Sequence, residues 1–351
     1  MNYVSHADYA FPLLPRERRF ALLRLLGFEY ADLGLFERSD GLRPGQLLAE
    51  PRKFARQLKR DLVQSGLRAS DVFLHLGVTP EDATVNDPSL LMRSRSRKAF
   101  LLALELCAEL ECKHLTSLPG AVHAEGTAGE SFALAVEEVG WRHRMALSSG
   151  ICYAIRPHAN SICSSITESH FFLDAVPGLT LTLDYGHFLS QKIDIHEIRS
   201  LLPYASHILV RGCGVNTLET PANESDIDID YITRRLFKQN YEGFPATQYF
   251  WTGGSKYNRA DSISEAILLL HQLETHVQLT RDRAVSAHTE IRHVGHLDSL
   301  PSQVRRLFRA KLQNKCKKSR CRIDQSSSVA LPAQVVFAGD ENPLRMDPES
   351  S

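Results

Sequence analysis

The segment TLTLDYGHFL, residues 180–189, places a carboxylate and an imidazole three residues apart. The alternation of threonine and leucine predicts a buried β-strand, so Asp184 and His187 come where that strand ends. Carboxylates and imidazoles are the side chains that most often act as general acid or base in enzymes. We therefore take Asp184 and His187 as candidate catalytic residues and ask what else would lie beside them.

Other polar side chains stand at the ends of other strand-like runs. The candidate substrate-binding residues chosen on this basis are His75, Arg156, His158, Arg211 and Gln248. Weaker candidates at strand ends or in the loops after them are Asp32, Glu37, His123 and His207. For Asp32, a place in the pocket and a helix cap are equally compatible with the sequence.

Short apolar runs alternate with helical patterns over residues 1–280. After an opening strand near VSHADYAF, the predicted strands cover residues 28–37, 71–77, 113–120, 151–161, 179–188, 206–214 and 245–251. The helices predicted explicitly cover residues 51–66, 93–111, 130–150, 164–176, 193–205, 229–240 and 262–279. Eight such strand–helix units predict an α/β fold, a closed (β/α)8 or TIM barrel, whose strand ends line one pocket. An open doubly wound sheet is the rival, but no Gly-x-Gly-x-x-Gly turn follows any strand.

The character of the chain changes after residue 280. We predict a barrel domain over residues 1–280 and a C-terminal extension over 281–351, partly helical and then disordered. Residues 311–322, KLQNKCKKSRCR, are basic, and the last residues are acidic. Because no aromatic residues interleave the basic run, a solvated tail is favoured over a nucleic-acid contact. Truncation before Lys311 is expected to leave the melting temperature nearly unchanged.

The composition is that of a globular protein. Hydrophobic residues make up 43% and charged residues 23% of the 351 positions, and the formal net charge is zero. We find no signal peptide and no membrane span, and the seven scattered cysteines favour free thiols, so a cytoplasmic location is expected. The expected partner is a small-molecule substrate. Nothing indicates nucleic acid or a membrane, and a homo-oligomer is left open.

Over about residues 1–278 the sequence resembles the sugar phosphate isomerase/epimerase family of xylose isomerase-like barrels. The resemblance rests on these stretches in this order: NDPSLLMRSRSRKAFLLALELCAEL, HLTSLPG, AIRPHANS, LTLDYGHF, SHILVRG and YEGFPATQY. Each is a loose motif alone, and together they are fairly specific. The resemblance implies a TIM barrel that usually holds one divalent metal ion with Glu, Asp, His and Glu from strands five to eight. The two glutamates of such enzymes also move protons between adjacent carbons of a sugar.

The chain departs from this pattern at three of the four ligand positions. Asp184 matches the family's aspartate, but Arg156, Leu209 and Gln248 stand where the family has Glu, His and Glu. Arginine stays protonated, leucine has no lone pair, and the glutamine carbonyl is a poor base. One carboxylate does not hold a divalent ion tightly, so we expect no metal cofactor. Arg156 then either pairs with Asp184 in place of the metal or joins Arg211 in binding an anionic group of a ligand.

Three functions follow from these residues. The first is a metal-independent enzyme that acts on a small anionic or polyhydroxylated substrate by acid/base chemistry, in a lyase, cyclase, hydrolase or isomerase step. The second is a metal-dependent sugar isomerase or epimerase, with Mn or Zn held by Asp184 and by His75, His158 or His187. The third is a non-catalytic ligand-binding barrel. A family endonuclease is disfavoured because most zinc ligands of such enzymes are missing. We favour the first, since Arg156 puts a positive charge where a cation would lie.

Overall fold

The computed structural model describes residues 4–37, 42–159, 161–215, 217–239, 241, 243–250 and 260–294. The predicted tail, including the basic run at 311–322, lies outside these residues. The five cysteines that the structure describes are free thiols, as predicted from their scatter. Among the described residues, we find no helix with the length and apolar character of a membrane span.

Eight short parallel strands close into a barrel, which confirms the predicted fold class. The strands are β1 (Ser5–Ala7), β2 (Tyr30–Leu35), β3 (Arg68–Leu74), β4 (His114–Ser117), β5 (Cys152–Ile155), β6 (Thr180–Asp184), β7 (Ala205–Val210) and β8 (Pro245–Thr247). Each strand pairs with the next along the chain, and β8 closes the ring by pairing Ala246 with Ser5 of β1. All eight carboxyl ends therefore meet at one mouth of the barrel, and all eight amino ends meet at the other.

Helices surround the barrel. They are α1 (Arg16–Leu25), α2 (Pro44–Ala49), α3 (Pro51–Ser65), α4 (Leu90–Glu109), α5 (Ala128–Ser148), α6 (Ile166–Ala175), α7 (Tyr185–Leu189), α8 (Ile195–Ile198), α9 (Ile229–Lys238) and α10 (Ser262–Val294). The sequence patterns had not singled out α1 and α2. The last helix continues past its predicted end at residue 279.

Local sequence signals explain where several helices begin and end. Helix α3 buries Phe54, Leu58 and Leu62 and stops at Gly66, whose φ of 68° lies in the left-handed region that glycine tolerates best. Helices α5 and α6 each begin with a capping box, in which the cap hydroxyl and a glutamate three residues on exchange hydrogen bonds with the backbone.

The alternation in β6 shows how the barrel interior is built. Thr182 bonds through its hydroxyl to the hydroxyl of Thr116 on β4 at 2.7 Å, across the interior of the barrel. Since side chains alternate along a strand, Thr180 and Asp184 share this inward side, and Leu181 and Leu183 face the helices. The Thr/Leu pattern therefore separates a polar interior from an apolar layer between strands and helices.

Several predicted elements run past the observed ones, such as the strand predicted over residues 151–161, which ends at Ile155. Two of these differences have a local cause. The strand that was to run through residue 188 ends at Asp184, because the Asp184 side chain accepts a hydrogen bond from the Gly186 backbone at 2.9 Å and caps α7. His187 consequently lies on a short helix. The helix predicted over residues 193–205 is only α8, followed by a 3-10 segment (Arg199–Tyr204) that contains Pro203.

Candidate functional site

Side chains from β5 to β8 converge at the carboxyl mouth of the barrel. Nη2 of Arg156 donates to Oδ2 of Asp184 at 2.5 Å. The same nitrogen lies 3.3 Å from Oε1 of Gln248 and 3.4 Å from Nε2 of His187. Arg211 completes the group, since its Nη2 donates to the same Asp184 oxygen at 2.8 Å. The structure thus brings these five candidate site residues together, and the other two, His75 and His158, lie at the same mouth.

Arg211 has a second acidic neighbour that the sequence did not reveal. Its Nη1 lies 3.5 Å from Oε1 of Glu219, a buried side chain in the loop after β7. Glu219 also accepts a hydrogen bond from the Phe250 backbone at 2.8 Å. Two guanidinium groups and two carboxylates therefore balance each other in charge. Nothing in the spacing of Glu219 marks it, because it follows no strand end directly.

The Asp184 carboxylate stays ionised. Burial alone would raise its pKa, but the guanidinium groups of Arg211 and Arg156 lower that pKa to well below its usual range. A carboxylate that accepts from two guanidinium groups has little tendency to take up a proton. In this geometry Asp184 holds the two arginines in place.

The two histidines at this mouth are neutral at pH 7. Burial and the nearby arginines lower the pKa of His158 to about 4, and burial lowers the pKa of His187 well below the ordinary value even though Asp184 opposes that shift. The two rings lie against each other, with centroids 4.0 Å apart. Nε2 of His187 is 3.4 Å from Oδ2 of Asp184, and because the ring is neutral this contact is not an ion pair.

A cavity of about 280 Å³ opens above this group. Its wall includes Arg156, His158, His187 and Arg211, but neither Asp184 nor Glu219. The cavity is therefore presented with positive charge and neutral imidazoles, although the cluster behind it is balanced. The rest of the wall includes four aromatic rings that pack against one another, Tyr9, Phe36, Phe73 and Phe250. The Arg156 guanidinium lies over the Phe73 ring, 5.3 Å from its centroid.

The remaining candidates lie in different places. His75 follows β3 and lines the cavity, with its Nε2 bonded to the Thr79 carbonyl at 2.6 Å. His123 is not part of the cavity wall and contacts Thr84 Oγ1 at 2.9 Å. Glu37 accepts from the Gly45 backbone at the start of α2.

The expectation that Asp32 and His207 stand at strand ends was wrong. Both lie in the amino half of their strands, where Nε2 of His207 is 2.7 Å from Oδ2 of Asp32. The hydroxyls of Ser5 and Ser70 also donate to Asp32, at 2.9 and 2.6 Å. Strand register explains the error, because the position of a residue within its strand decides which mouth it faces.

The amino mouth carries a second polar cluster that sequence reasoning missed. Nδ1 of His114 lies 2.7 Å from Oδ1 of Asp71, and its Nε2 lies 2.8 Å from Oγ of Ser206. These residues stand at or near the beginnings of β3, β4 and β7. The available signal was a polar pair or histidine opening an otherwise apolar run, as in SDVFL, HLTS and SHILV.

Comparison with known families agrees with the barrel and its strand order. The family model described as a xylose isomerase-like TIM barrel matches residues 20–273. The chain belongs to this family. A comparison of the sequence with curated proteins found no match.

Several solved structures share this fold at low sequence identity. D-psicose 3-epimerase from Clostridium cellulolyticum H10, with D-tagatose, has a TM-score of 0.61 and 15% identity, and the match covers 78% of this chain and 99% of that one. For L-ribulose 3-epimerase the TM-score is 0.61 and the identity 13%, covering 82% and 98%. A probable 3-DHS dehydratase from Bacillus anthracis has a TM-score of 0.56 and 15% identity, covering 77% and 99%.

Proposed function

We propose that this chain is an enzyme that works without a divalent metal ion on a small anionic or polyhydroxylated molecule, bound in the cavity above Arg156 and Arg211. The chemistry is proton abstraction next to a carbonyl or carboxylate, as in an isomerase, epimerase or lyase step. The observation that carries the proposal is the Arg156 guanidinium, which is bonded to the Asp184 carboxylate and lines the cavity.

The donor set at this mouth does not fit a divalent cation. Both available interactions of Asp184 Oδ2 go to guanidinium groups, and a cation would have to displace Arg156 to reach that oxygen. Gln248 directs its carbonyl at Arg156, and His75 is bonded to a backbone carbonyl. Two permanently charged guanidinium groups within a few ångströms would also repel the ion.

The cavity suits a ligand of sugar size. Its volume of about 280 Å³ is near the lower end of small-molecule sites, and its wall combines aromatic rings with a few polar groups. A carboxylate, phosphate or enediolate oxygen would receive charge-assisted hydrogen bonds from Arg156 and Arg211. The ring face of a sugar would lie against Phe73 or Phe250.

The proposal gives proton transfer to His187, with His158 beside it, and leaves to Asp184 the task of holding the arginines. A neutral imidazole is able to accept a proton, but a base of low pKa is a weak one. An anionic ligand near Arg156 would offset the positive charge that depresses the pKa of both histidines and would raise their basicity. Arg156 and Arg211 would then stabilise the negative charge that develops on the substrate oxygen.

The related structures give the first compounds to test. Their names include epimerases of D-psicose and L-ribulose and a probable dehydratase, so the family scaffold accommodates both proton-transfer and elimination chemistry. We propose ketohexoses, ketose phosphates and polyhydroxylated keto acids as the first panel. The transfer of a C–H proton to His187 predicts exchange with solvent at the carbon next to the carbonyl.

The experiment is to incubate the protein with this panel in D₂O and EDTA and to follow the substrate protons by NMR. We expect exchange or isomerisation of at least one compound with EDTA present. His187→Asn should abolish it, whereas His196→Asn, which alters an exposed histidine on α8, should not. Activity that disappears in EDTA and returns with Mn²⁺ or Zn²⁺ would contradict the proposal.

Binding is measured separately by calorimetry with the active compound. Arg156→Ala should weaken binding by about 1.5–3 kcal/mol, as expected for lost hydrogen bonds to a charged group. Arg156→Lys should restore little, because an ammonium group does not reproduce the planar fork. Binding that is unchanged in Arg156→Ala would place the ligand elsewhere.

A further inference from the structure

The amino mouth of the barrel contains a cysteine, a histidine and an aspartate in a connected chain. His114 and Cys152 are register partners at the first positions of β4 and β5, so their side chains lie side by side. Sγ of Cys152 also lies 3.5 Å from Oγ1 of Thr180 on the next strand. Behind the imidazole, Nδ1 of His114 is 2.7 Å from Oδ1 of Asp71. A thiol, an imidazole and a carboxylate in sequence form the arrangement that activates a nucleophile.

The direction of the hydrogen bonds shows which group is the nucleophile. The hydroxyl of Thr180 donates to the Tyr153 carbonyl at 3.0 Å, and the hydroxyl of Ser206 donates to Thr180 at 2.7 Å. Ser206 therefore only accepts from Nε2 of His114. The imidazole donates from both nitrogens and carries a positive charge. It does not take a proton from Ser206, and its positive charge beside Cys152 favours a thiolate on that sulfur.

The protonation of the two groups agrees with this reading. Burial would lower the pKa of His114, but the Asp71 carboxylate raises it to about 10. Burial would raise the pKa of the Cys152 thiol, but the neighbouring His114 imidazolium lowers it to about 7. Three buried cysteines show the opposite behaviour. The Cys112 side chain and burial raise the pKa of Cys107, and burial raises the pKa of Cys163 and Cys213.

The thiol is accessible. Cys152 is exposed, whereas the other four described cysteines are buried. It lines a cavity of about 870 Å³, the larger of the two mouths among the described residues, together with His114, Ser206 and His207. The charged residues at the rim are Lys59, Arg68, Glu111 and Lys113. Lys59 also reaches Glu109 at 3.4 Å and His114 is paired with Asp71, so Arg68 and Lys113, against Glu111, leave a small excess of positive charge at the rim.

We propose that this amino mouth is a second reactive site, in which Cys152 with His114 and Asp71 undergoes thiol–disulfide exchange with a small disulfide that carries carboxylates. The fit rests on an exposed sulfur, an imidazolium held by a buried carboxylate, a cavity large enough for a small peptide-like molecule, and a basic rim. It is independent of the function proposed for the carboxyl mouth.

The exchange balances without a further reactant. The Cys152 thiolate attacks one sulfur of the disulfide, the Cys152–sulfur bond forms, and the sulfur–sulfur bond of the reagent breaks. The other half leaves as a thiolate and takes a proton from solvent. The protein ends as a mixed disulfide, and a second small thiol reverses the step.

The test uses the full chain with Cys316→Ser and Cys321→Ser, two positions outside the described residues. Of the five cysteines that remain, Cys152 is the exposed one. The probe is dithiobis-nitrobenzoate, a disulfide with one carboxylate on each half. Its rate is measured from about pH 5 to about pH 9, a range that separates a perturbed thiol from an ordinary one near 8.5. We expect one rapid equivalent, located on Cys152 by peptide mass spectrometry, with an apparent pKa near 7.

Two kinds of variant decide between outcomes. His114→Gln should move the apparent pKa of Cys152 to the ordinary thiol range, and Cys152→Ser should remove the rapid phase. Lys113→Glu, on the exposed rim, should slow the reaction with the anionic disulfide several-fold at low salt, relative to the reaction with neutral dithiodipyridine. No rapid labelling of Cys152, an apparent pKa unmoved by His114→Gln, or an equal effect of Lys113→Glu on both disulfides would overturn the proposal. Because Lys113 is at the surface, the last arm remains decisive even if His114→Gln does not fold.

Discussion

The two mouths of the barrel use the same residue types in opposite electrostatic states. Each contains a buried aspartate with a histidine nearby: Asp184 with His187 at the carboxyl mouth, and Asp71 with His114 at the amino mouth. At the first, the imidazole is neutral and the pKa of the histidine is lowered. At the second, the pKa of the histidine is raised to about 10 and the imidazole is charged.

The other groups bonded to each carboxylate account for this difference in the charge of the histidine. Asp184 Oδ2 is already bonded to Arg156 and Arg211, whose positive charges oppose the effect of Asp184 on His187. Asp71 has no guanidinium partner in the part of the chain that the structure describes, so its charge acts on His114. An Asp/His pair in a sequence therefore does not determine which of the two carries the proton.

The largest expected effect is on the free energy of unfolding, which should fall more for a substitution at the carboxyl mouth than at the amino mouth. Asp184→Asn leaves two guanidinium groups buried with one carboxylate fewer, and arginine does not lose its proton. We expect a loss of about 3–5 kcal/mol in the free energy of unfolding, measured by urea denaturation. Asp71→Asn should cost clearly less at pH 8, because His114 is able to deprotonate. Equal losses for the two substitutions would show that the identity of the partner does not matter.

The second expected effect concerns metal binding at the carboxyl mouth. Leu209 lies on the same side of β7 as His207 and Arg211, and it pairs in register with Asp184. We expect the combined variant Arg156→Glu, Leu209→His and Gln248→Glu to acquire a site for Mn²⁺ or Zn²⁺. At a concentration one hundred times the dissociation constant, the ion should stabilise the fold by about 2.7 kcal/mol, seen as a raised melting temperature.

The unmodified chain and one further variant are the controls for this rewrite. EDTA should leave the melting temperature of the unmodified chain unchanged. Adding Asp184→Asn to the three substitutions should remove the metal response. A folded triple variant that ignores both ions would mean that these four positions do not form a ligand set, and the site residues inferred from the family resemblance would have to be reassigned.

The parts of the site that could be predicted from the sequence are those at the carboxyl ends of the strands. The barrel and the meeting of Arg156, Asp184 and Arg211 were predictable, because parallel strands that close a ring bring their carboxyl ends to one mouth. The amino mouth was missed because the start of a strand was read as structure only. Glu219 was missed because a loop residue has no register from which its position follows.

The placement of His187 shows a limit of a different kind. The Thr/Leu alternation predicts the inward side of β6 correctly up to Asp184, but period alone does not say where the strand stops. Asp184 stops it by accepting the Gly186 N–H, a capping interaction that competes with the next strand position. Asp184 therefore both holds the arginines and sets the helix that carries His187.

The third expected effect is a dependence of stability on pH. The carboxyl mouth should cause a loss of stability at acid pH, the acid limb, and the amino mouth a loss at alkaline pH, the alkaline limb. Histidines whose folded pKa is lowered, His158 at about 4 and His187 below the ordinary value, bind protons less readily than in the unfolded chain. Their contribution to the free energy of unfolding is present above about pH 6.5 and is lost as the pH falls toward 4. His114 has a raised pKa, so its contribution is complete below about pH 6.5 and is lost as the pH rises toward 10.

Urea unfolding at a series of pH values measures both limbs. His158→Asn should flatten the acid limb and leave the alkaline limb unchanged, while His114→Gln should do the reverse. The buried His6, whose pKa burial lowers to about 4, should preserve part of the acid limb in the first variant. An alkaline limb that survives His114→Gln would mean that His114 is not charged in the folded chain.

The smallest effect tests whether the two mouths act independently. The hydroxyls of Thr116 and Thr182 bond to each other at 2.7 Å in the barrel interior, between the amino-terminal cluster and the Asp184 cluster. Thr182→Val alone leaves the Thr116 hydroxyl without this partner and should cost about 1–2 kcal/mol, whereas changing both threonines to valine should cost less than the sum of the single changes. If the mouths are separate, the double variant should leave the apparent pKa of Cys152 and the acid limb of unfolding unchanged. A shift of either would show that charge at one mouth is felt at the other, and the two sites would then have to be treated as one coupled system.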